Sequence, residues 1–200
     1  MIKIDAISVR RGNSLVLNEY SAQISEEGMT LLTGPNGVGK TTLINAIARS
    51  LPISAGKIEI SDRDIAQTSA KELAHLRSVS PQRRAFTLAF SVAEVLGFID
   101  EVERNQHWQS TIESLGLHDI MTAKVTELSE GQQQRVSLAL ALIQESHFYL
   151  LDEPLSAQDS QFQERILSQL KIIATKKGVL VVSHNTDSPH SQFDQELRLN

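Results

Sequence analysis

One stretch constrains this chain more than any other: Leu31-Leu32-Thr33-Gly34-Pro35-Asn36-Gly37-Val38-Gly39-Lys40-Thr41-Thr42. It reads as a buried strand, a glycine-rich turn and a helix opening at Lys40. Gly34, Gly39, Lys40 and Thr41 fit the phosphate-loop spacing G-x-x-x-x-G-K-[ST]. Glycines let backbone N–H groups turn inward around a phosphate chain, because they tolerate the dihedrals such a turn needs. The helix N-terminus behind them offers free donors and partial positive charge. Lys40 has the reach for the outer phosphates, and the Thr41 hydroxyl suits Mg²⁺. The residues therefore imply a bound nucleoside triphosphate. An ordinary glycine-rich turn is the alternative, and the strand–turn–helix context weighs against it.

Two hundred residues suit a single α/β unit with a full core. The net charge of −5 gives no sign of binding to nucleic acid or an anionic membrane surface. Cysteine is absent, which excludes disulfides, thiol catalysis and thiolate metal sites. The start, Met1-Ile2-Lys3-Ile4-Asp5, lacks the apolar region of a signal peptide. No apolar run approaches the roughly eighteen residues that span a bilayer, so any membrane role is expected to come through a partner.

Ile2, Ile4, Ala6 and Ile7 predict a first strand. Leu15-Val16-Leu17 and Ala22-Gln23-Ile24 predict two more of an antiparallel kind, with Arg11-Gly12-Asn13 as a turn. Leu43, Ile44, Ile47 and Ala48 lie at helical spacing after Lys40. Lys57 to Ile60 predicts a short strand, Ser69 to Arg77 a helix capped by Ser69, and Ser78 to Ser80 a strand ending at Pro81-Gln82. From there to about Thr126 the pattern is helical over Val92–Phe98, Trp108–Leu115 and His118–Met121, a helical insertion in an α/β frame. Val136 to Leu142 alternates like a strand, yet its Ala, Leu, Gln and Arg content predicts a buried helix over Gln133–Gln144. Phe148 to Leu151 reads as a strand buried on both faces. A helix over Gln161–Thr175, a strand over Gly178–Val182 and a closing strand over Glu196–Leu199 complete the chain.

In an open parallel sheet, ligands bind beyond the carboxyl ends of the strands. Four predicted strands deliver polar groups there: the phosphate loop, Gln82, Asp152-Glu153 and His184. Asp152 suits Mg²⁺ held through water. Glu153 is then spare to orient and deprotonate an attacking water. Gln82 is long enough to touch metal and water, and His184 suits donation to a terminal phosphate as charge develops. Each has an ordinary alternative as a solvated loop or core residue; their shared position after buried strands favours function. His75, His107, His118, His147 and His190 lack that context.

With these residues in place, the chain resembles the ATP-binding cassette (ABC) ATPases over nearly its whole length. The motifs occur in order: the phosphate loop Gly34 to Thr42, the Q-loop Gln82, the signature Leu128-Ser129-Glu130-Gly131-Gln132, the strand Phe148 to Glu153 with its catalytic glutamate, the D-loop Ser156-Ala157-Gln158-Asp159, and the switch His184. The resemblance implies an ABC-type P-loop NTPase fold, with an antiparallel β subdomain and a helical subdomain inserted at about 83–128. It implies ATP and Mg²⁺ as ligands and ATP hydrolysis as the reaction. Implied ATP contacts are Arg11, Gly34, Pro35, Asn36, Gly37, Val38, Gly39, Lys40, Thr41, Thr42 and Gln82, with Mg²⁺ at Thr41, Gln82 and, through water, Asp152. Glu153, His184 and Lys40 would carry catalysis. Ser129, Glu130, Gly131 and Gln132 would face the ATP of a second, identical subunit, with Asp159 in the D-loop between them.

Three positions depart from the family pattern. Arg11 stands about where an aromatic residue stacks on adenine, Glu130 where glycine is commonest, and Gln158 where leucine is usual. The chain also ends soon after His184, so no regulatory domain is expected. Lys71 to Arg77 with Pro81-Gln82, and Phe90 to Leu96, resemble the ATPase subunits of iron-siderophore, haem and cobalamin importers. That points to a cytoplasmic subunit, peripheral on the membrane through separate permease subunits and served by a substrate-binding protein, with no nucleic-acid partner. Exporter subunits and a soluble ABC ATPase acting on a protein assembly, such as the iron–sulfur type, remain open.

Overall fold

A computed structural model describes residues 1–97, 106–183 and 190–200. Two sheets organise them. The first has the order β2-β1-β4-β5, from Ser14–Ile24 (β2), Ile2–Arg11 (β1), Ala55–Ile60 (β4) and Arg63–Asp64 (β5), and every pairing is antiparallel. The second has the order β6-β7-β8-β3-β9, from Arg77–Ser80, Phe148–Asp152, Gly178–Val182, Gly28–Thr33 and Gln195–Arg198, and every pairing is parallel. The carboxyl ends of β3, β6, β7 and β8 therefore lie along one edge, as the strand reading requires.

Burial follows the period of two. In β7, Phe148 and Leu150 enter one core while Tyr149 and Leu151 enter another; in β8, Leu180 and Val182 part from Val179 and Val181 in the same way. One core holds the antiparallel sheet (Ile2, Ile4, Ile7, Val9) against helix α1, Lys40–Ile47, through Leu43, Ile44 and Ile47. The other holds α5, Glu130–Ile143, and α6, Ser160–Ala174, with α3, Val92–Gly97, and α4, Gln106–Ser114. Helix α2, Ala70–Leu76, opens on the expected Ser69 cap, a reciprocal pair with Glu72.

The structure corrects several local expectations. Residues 15–24 form one strand rather than two; Glu19 sits at φ 48 and the β1–β2 register shifts, so a bulge interrupts the apolar pattern without ending the strand. The alternating run Val136 to Leu142 is helical, as its composition predicts; α5 is buried on most of its faces, so periodicity cannot mark one side. That helix begins at Glu130, three residues before the predicted start. Helical structure in the insertion begins at Val92, as expected, and residues 83–91 before it carry no helix. His118–Ile120 is a single 3-10 turn, and Phe98 lies outside the described residues. Among the described residues no helix is long and apolar enough to cross a membrane.

Candidate nucleotide site

The loop after β3 is shaped by glycine. Gly34 and Gly39 have φ of 146 and 115, in the region where L side chains are strained. Space is short as well: a Cβ on Gly34 would lie 2.5 Å from the Leu199 carbonyl oxygen, and one on Gly39 would lie 2.9 Å from Val16 Cγ1. The second contact shows that the β1–β2 hairpin packs on the loop. Pro35, Asn36 and Gly37 are exposed at the rim, Val38 and Thr41 are half-buried, and Lys40 and Thr42 are buried. Arg11 is exposed at the end of the hairpin, opposite Ser14.

Lys40 Nζ donates to the carbonyl oxygens of Gly34 at 2.6 Å and Pro35 at 3.0 Å. Burial pulls its pKa below the ordinary lysine value, and the negative charges of Glu153 and Asp152 partly oppose that fall. The ammonium group is thus held inside the loop by neutral acceptors, which an incoming phosphate oxygen can outcompete.

Asp152 closes β7 and is 2% exposed. Glu153 follows at φ 54, an uncommon conformation for a residue with a side chain. Three contacts hold it there: Glu153 N donates to Val182 O at 3.1 Å, Gln134 Nε2 donates to Glu153 O at 2.6 Å, and Ser156 Oγ donates to the same oxygen at 3.0 Å. The turn lifts the carboxylate toward β6, where Gln82 Nε2 donates to Glu153 Oε2 at 2.9 Å. Of the four strand ends, three bring their polar groups together in the described residues; His184 lies outside them.

The signature turn is a helix start. Ser129 Oγ accepts from Gln132 N at 3.3 Å, and Gln132 Oε1 accepts from Ser129 N at 3.0 Å, a capping box at the head of α5. Asp159 likewise caps α6, accepting from Phe162 N at 2.9 Å. Glu130 faces Arg83 at 3.2 Å, so its carboxylate has a cationic partner just beyond the Q-loop. Gly131 owes its identity to crowding: a Cβ there would lie 2.7 Å from Ala157 O in the D-loop. These elements border a cleft of about 680 Å³ lined by Gln82, Arg83, Arg84, Glu130, Gln134 and Glu153 among others. Arg84 Nε donates to Ser137 Oγ at 3.2 Å, and burial lowers its pKa.

Sequence reasoning did not single out Gln134, Arg83 as the partner of Glu130, or the contact of the D-loop Ser156 with the Glu153 backbone. A run of three glutamines opening a largely apolar helix was the available signal for Gln134, since a buried amide needs partners.

The residues present fit the expected ligands. Positive-φ glycines ahead of a helix N-terminus have the shape and donors that suit an anion. For Mg²⁺, the Thr41 hydroxyl, Gln82 amide and Asp152 carboxylate supply the hard oxygens it prefers. Among the described residues no group of three or more His, Cys, Asp or Glu forms a metal cage, so phosphate and water oxygens would complete its shell.

The fold and site define a P-loop nucleotide-binding protein. Residues 17–156 match the family model described as ABC transporter, and the chain belongs to that family as an ATP-binding ATPase subunit. It is 36% identical to the hemin import ATP-binding protein HmuV of Rhizobium meliloti (strain 1021), over 98% of this chain and 80% of that one. It is 32% identical to the zinc transport system ATP-binding protein TroB of Treponema pallidum (strain Nichols), over 100% and 78%. Identity to an uncharacterized ABC transporter ATP-binding protein, YvrA of Bacillus subtilis (strain 168), is 31% over 91% of this chain, which spans only 44% of that relative's length. Among solved structures, the dimeric cassette MJ0796 bound to ADP and Pi shares the fold at a TM-score of 0.86 and 24% identity, covering 100% of this chain and 94% of that one.

Proposed function

We propose that this chain is the nucleotide-binding subunit that powers import of a metal chelate, such as an iron-siderophore, haem or cobalamin, through separate transmembrane subunits. The observation that carries the catalytic part is the Gln82–Glu153 contact at 2.9 Å, set beside buried Asp152 and within the electrostatic reach of Lys40. On this reading Lys40 leaves the Gly34 and Pro35 carbonyls for the outer phosphates of ATP. Glu153 then orients and deprotonates the attacking water, with Gln82 moving from the carboxylate toward the phosphate. Mg²⁺, when bound, neutralises charge on the phosphate oxygens, with Thr41, Gln82 and water-linked Asp152 as its protein partners. His184 donates to the terminal phosphate, and Arg11 stacks its guanidinium on the adenine.

Ser129, Glu130, Gly131 and Gln132 serve the nucleotide of a second copy, so two chains sandwich two ATP molecules head to tail about a two-fold axis, with Asp159 at the seam. The chain acts as one nucleotide-binding unit with a helical subdomain at about 83–128, held to the cytoplasmic face of the membrane by its permease. A substrate-binding protein delivers the chelate. Support for the cargo comes from the Lys71–Arg77 and Phe90–Leu96 stretches and from the hemin-import relative; the zinc-system relative supports a bare metal ion as the second reading. Uptake assays in the host lacking this chain separate them. Loss of haem or ferric-siderophore uptake with zinc uptake intact is expected. Loss of zinc uptake alone would move the cargo to a free ion, and loss of neither would favour the soluble or exporter alternatives.

A further inference from the structure

Gln158, where the D-loop departs from the family's usual leucine, is not idle. Its Nε2 donates to Gly131 O at 3.0 Å and to Gln134 Oε1 at 3.2 Å. Gln134 in turn donates from its own Nε2 to Glu153 O at 2.6 Å and to Ser156 Oγ at 2.7 Å. The side chain of Gln134 is only 9% exposed, so its orientation is set by these partners and not by solvent. The backbone of the D-loop presses on the same place, since Ala157 O leaves no room for a Cβ on Gly131. Gln163 Nε2 donates to Gln158 O at 3.2 Å and to Leu155 O at 3.1 Å, which fixes the loop from the far side.

The direction of these bonds matters. An amide can flip, and a flipped Gln134 would present its oxygen to Glu153 O, two acceptors face to face. Gln158 prevents this by donating to Gln134 Oε1, which leaves Nε2 as the end of the Gln134 amide that meets Glu153 O beside the Ser156 hydroxyl. A leucine at 158 has no such donor. We propose that Gln158 is a positioning residue that fixes the Gln134 amide and thereby links the signature turn at Gly131 to the strained backbone of Glu153. A displacement of the head of α5 is passed through two amides to the residue that carries the hydrolytic carboxylate. The inference rests on the reading of Glu153 as the base; the amide chain itself is a feature of this sequence.

The test compares steady-state ATP hydrolysis of the wild-type chain with Gln158→Met, Gln134→Met, the double variant and Glu153→Gln, each beside its thermal midpoint. Methionine keeps the length and removes the donor. Loss of the hydrogen bond to Gln134, acting on the transition state, predicts a fall in kcat of about two- to tenfold for Gln158→Met with KM for ATP unchanged, while the loss of both Gln158 bonds lowers the thermal midpoint by no more than a few degrees. The double variant should hydrolyse no more slowly than Gln134→Met alone, because both act along one path. Gln158→Glu is nearly the same shape but cannot donate, so it should lose as much as Gln158→Met. An unchanged kcat in both Gln158 variants, or losses that multiply in the double variant, overturns the inference. So does a parallel shift of kcat, KM and thermal midpoint, which marks ordinary loop destabilisation. Wild-type turnover in Glu153→Gln would instead overturn the assignment of the base, and that result is separate from the others.

Discussion

Gly131→Ala sets two known effects against each other. Alanine is the better helix former by about 1 kcal/mol in a helix interior, and Gly131 lies in the first turn of α5, where that gain is smaller. The added Cβ, however, would stand 2.7 Å from Ala157 O, about 0.7 Å inside the 3.4 Å at which ordinary contact begins. The obstacle is a backbone carbonyl, and Ala157 is itself at φ 55, so relief requires moving the D-loop. Overpacking of this kind costs about 1–3 kcal/mol, enough to outweigh the propensity gain. Urea unfolding should therefore show a loss of about 0.5–2 kcal/mol at unchanged m-value. Hydrolysis should fall further than the folded fraction accounts for, because the moved loop carries Gln158 away from Gln134. A variant as stable as wild type with full turnover would show that the signature and D-loop do not approach each other as described.

The Arg83–Glu130 pair is exposed on both sides, so a double-alanine cycle on stability should give a coupling of at most about 1 kcal/mol that fades in high salt; a larger, salt-resistant value would contradict the geometry. Lys40→Met should abolish ATP binding, measured by fluorescent-analogue titration, while changing the stability of the nucleotide-free chain by no more than about 1 kcal/mol. The sign follows from its lowered pKa: burying the charge costs stability at neutral pH, a cost relieved only as pH rises from that lowered value to the ordinary 10.5, so removing the charge acts against the loss of the two hydrogen bonds. The caps on α2 and α3 predict acid sensitivity. Hydrogen bonds from Ser69 and Ser91 hold Glu72 and Glu94 below the ordinary glutamate value of 4.5, so the stabilisation is present above pH 4.5 and is lost as pH falls through their lowered values. Glu72→Gln with Glu94→Gln should flatten that part of the pH profile of the thermal midpoint; an unchanged profile would assign the acid loss elsewhere.

Much of the site was legible because its residue types are forced locally. Gly34 and Gly39 answer to the positive dihedrals of a single loop and sit at a recognisable spacing, and the strand end at Asp152 follows from a short apolar run closed by a polar residue. Features made by contacts between distant segments were not legible. Gln134 reaches Glu153 across nineteen positions, and Arg83 meets Glu130 from the other side of the helical insertion, neither of which leaves a periodic trace. The strand β2 was split in the reading because its bulge at Glu19 breaks the alternation, and β5 is only two residues long, too short for any pattern. Helix α5 was recovered through composition, since burial on most faces erases the stripe that usually betrays a helix. The departures from the family pattern proved informative in their own right: Glu130 has a cation opposite it, and Gln158 bonds the signature turn.

The central claim is that Glu153 carries the chemistry at a site whose binding function lies elsewhere, in the loop from Gly34 to Thr42. Glu153→Gln keeps the size of the side chain and can still accept from Gln82, but it cannot take a proton from water. Measured side by side on the same preparation, ATP binding and single-turnover hydrolysis should separate. The variant should bind ATP with wild-type affinity and retain it unhydrolysed, with turnover reduced at least about a hundredfold, in keeping with the loss of a general base. Hydrolysis at the wild-type rate, or loss of binding together with hydrolysis, would contradict the account.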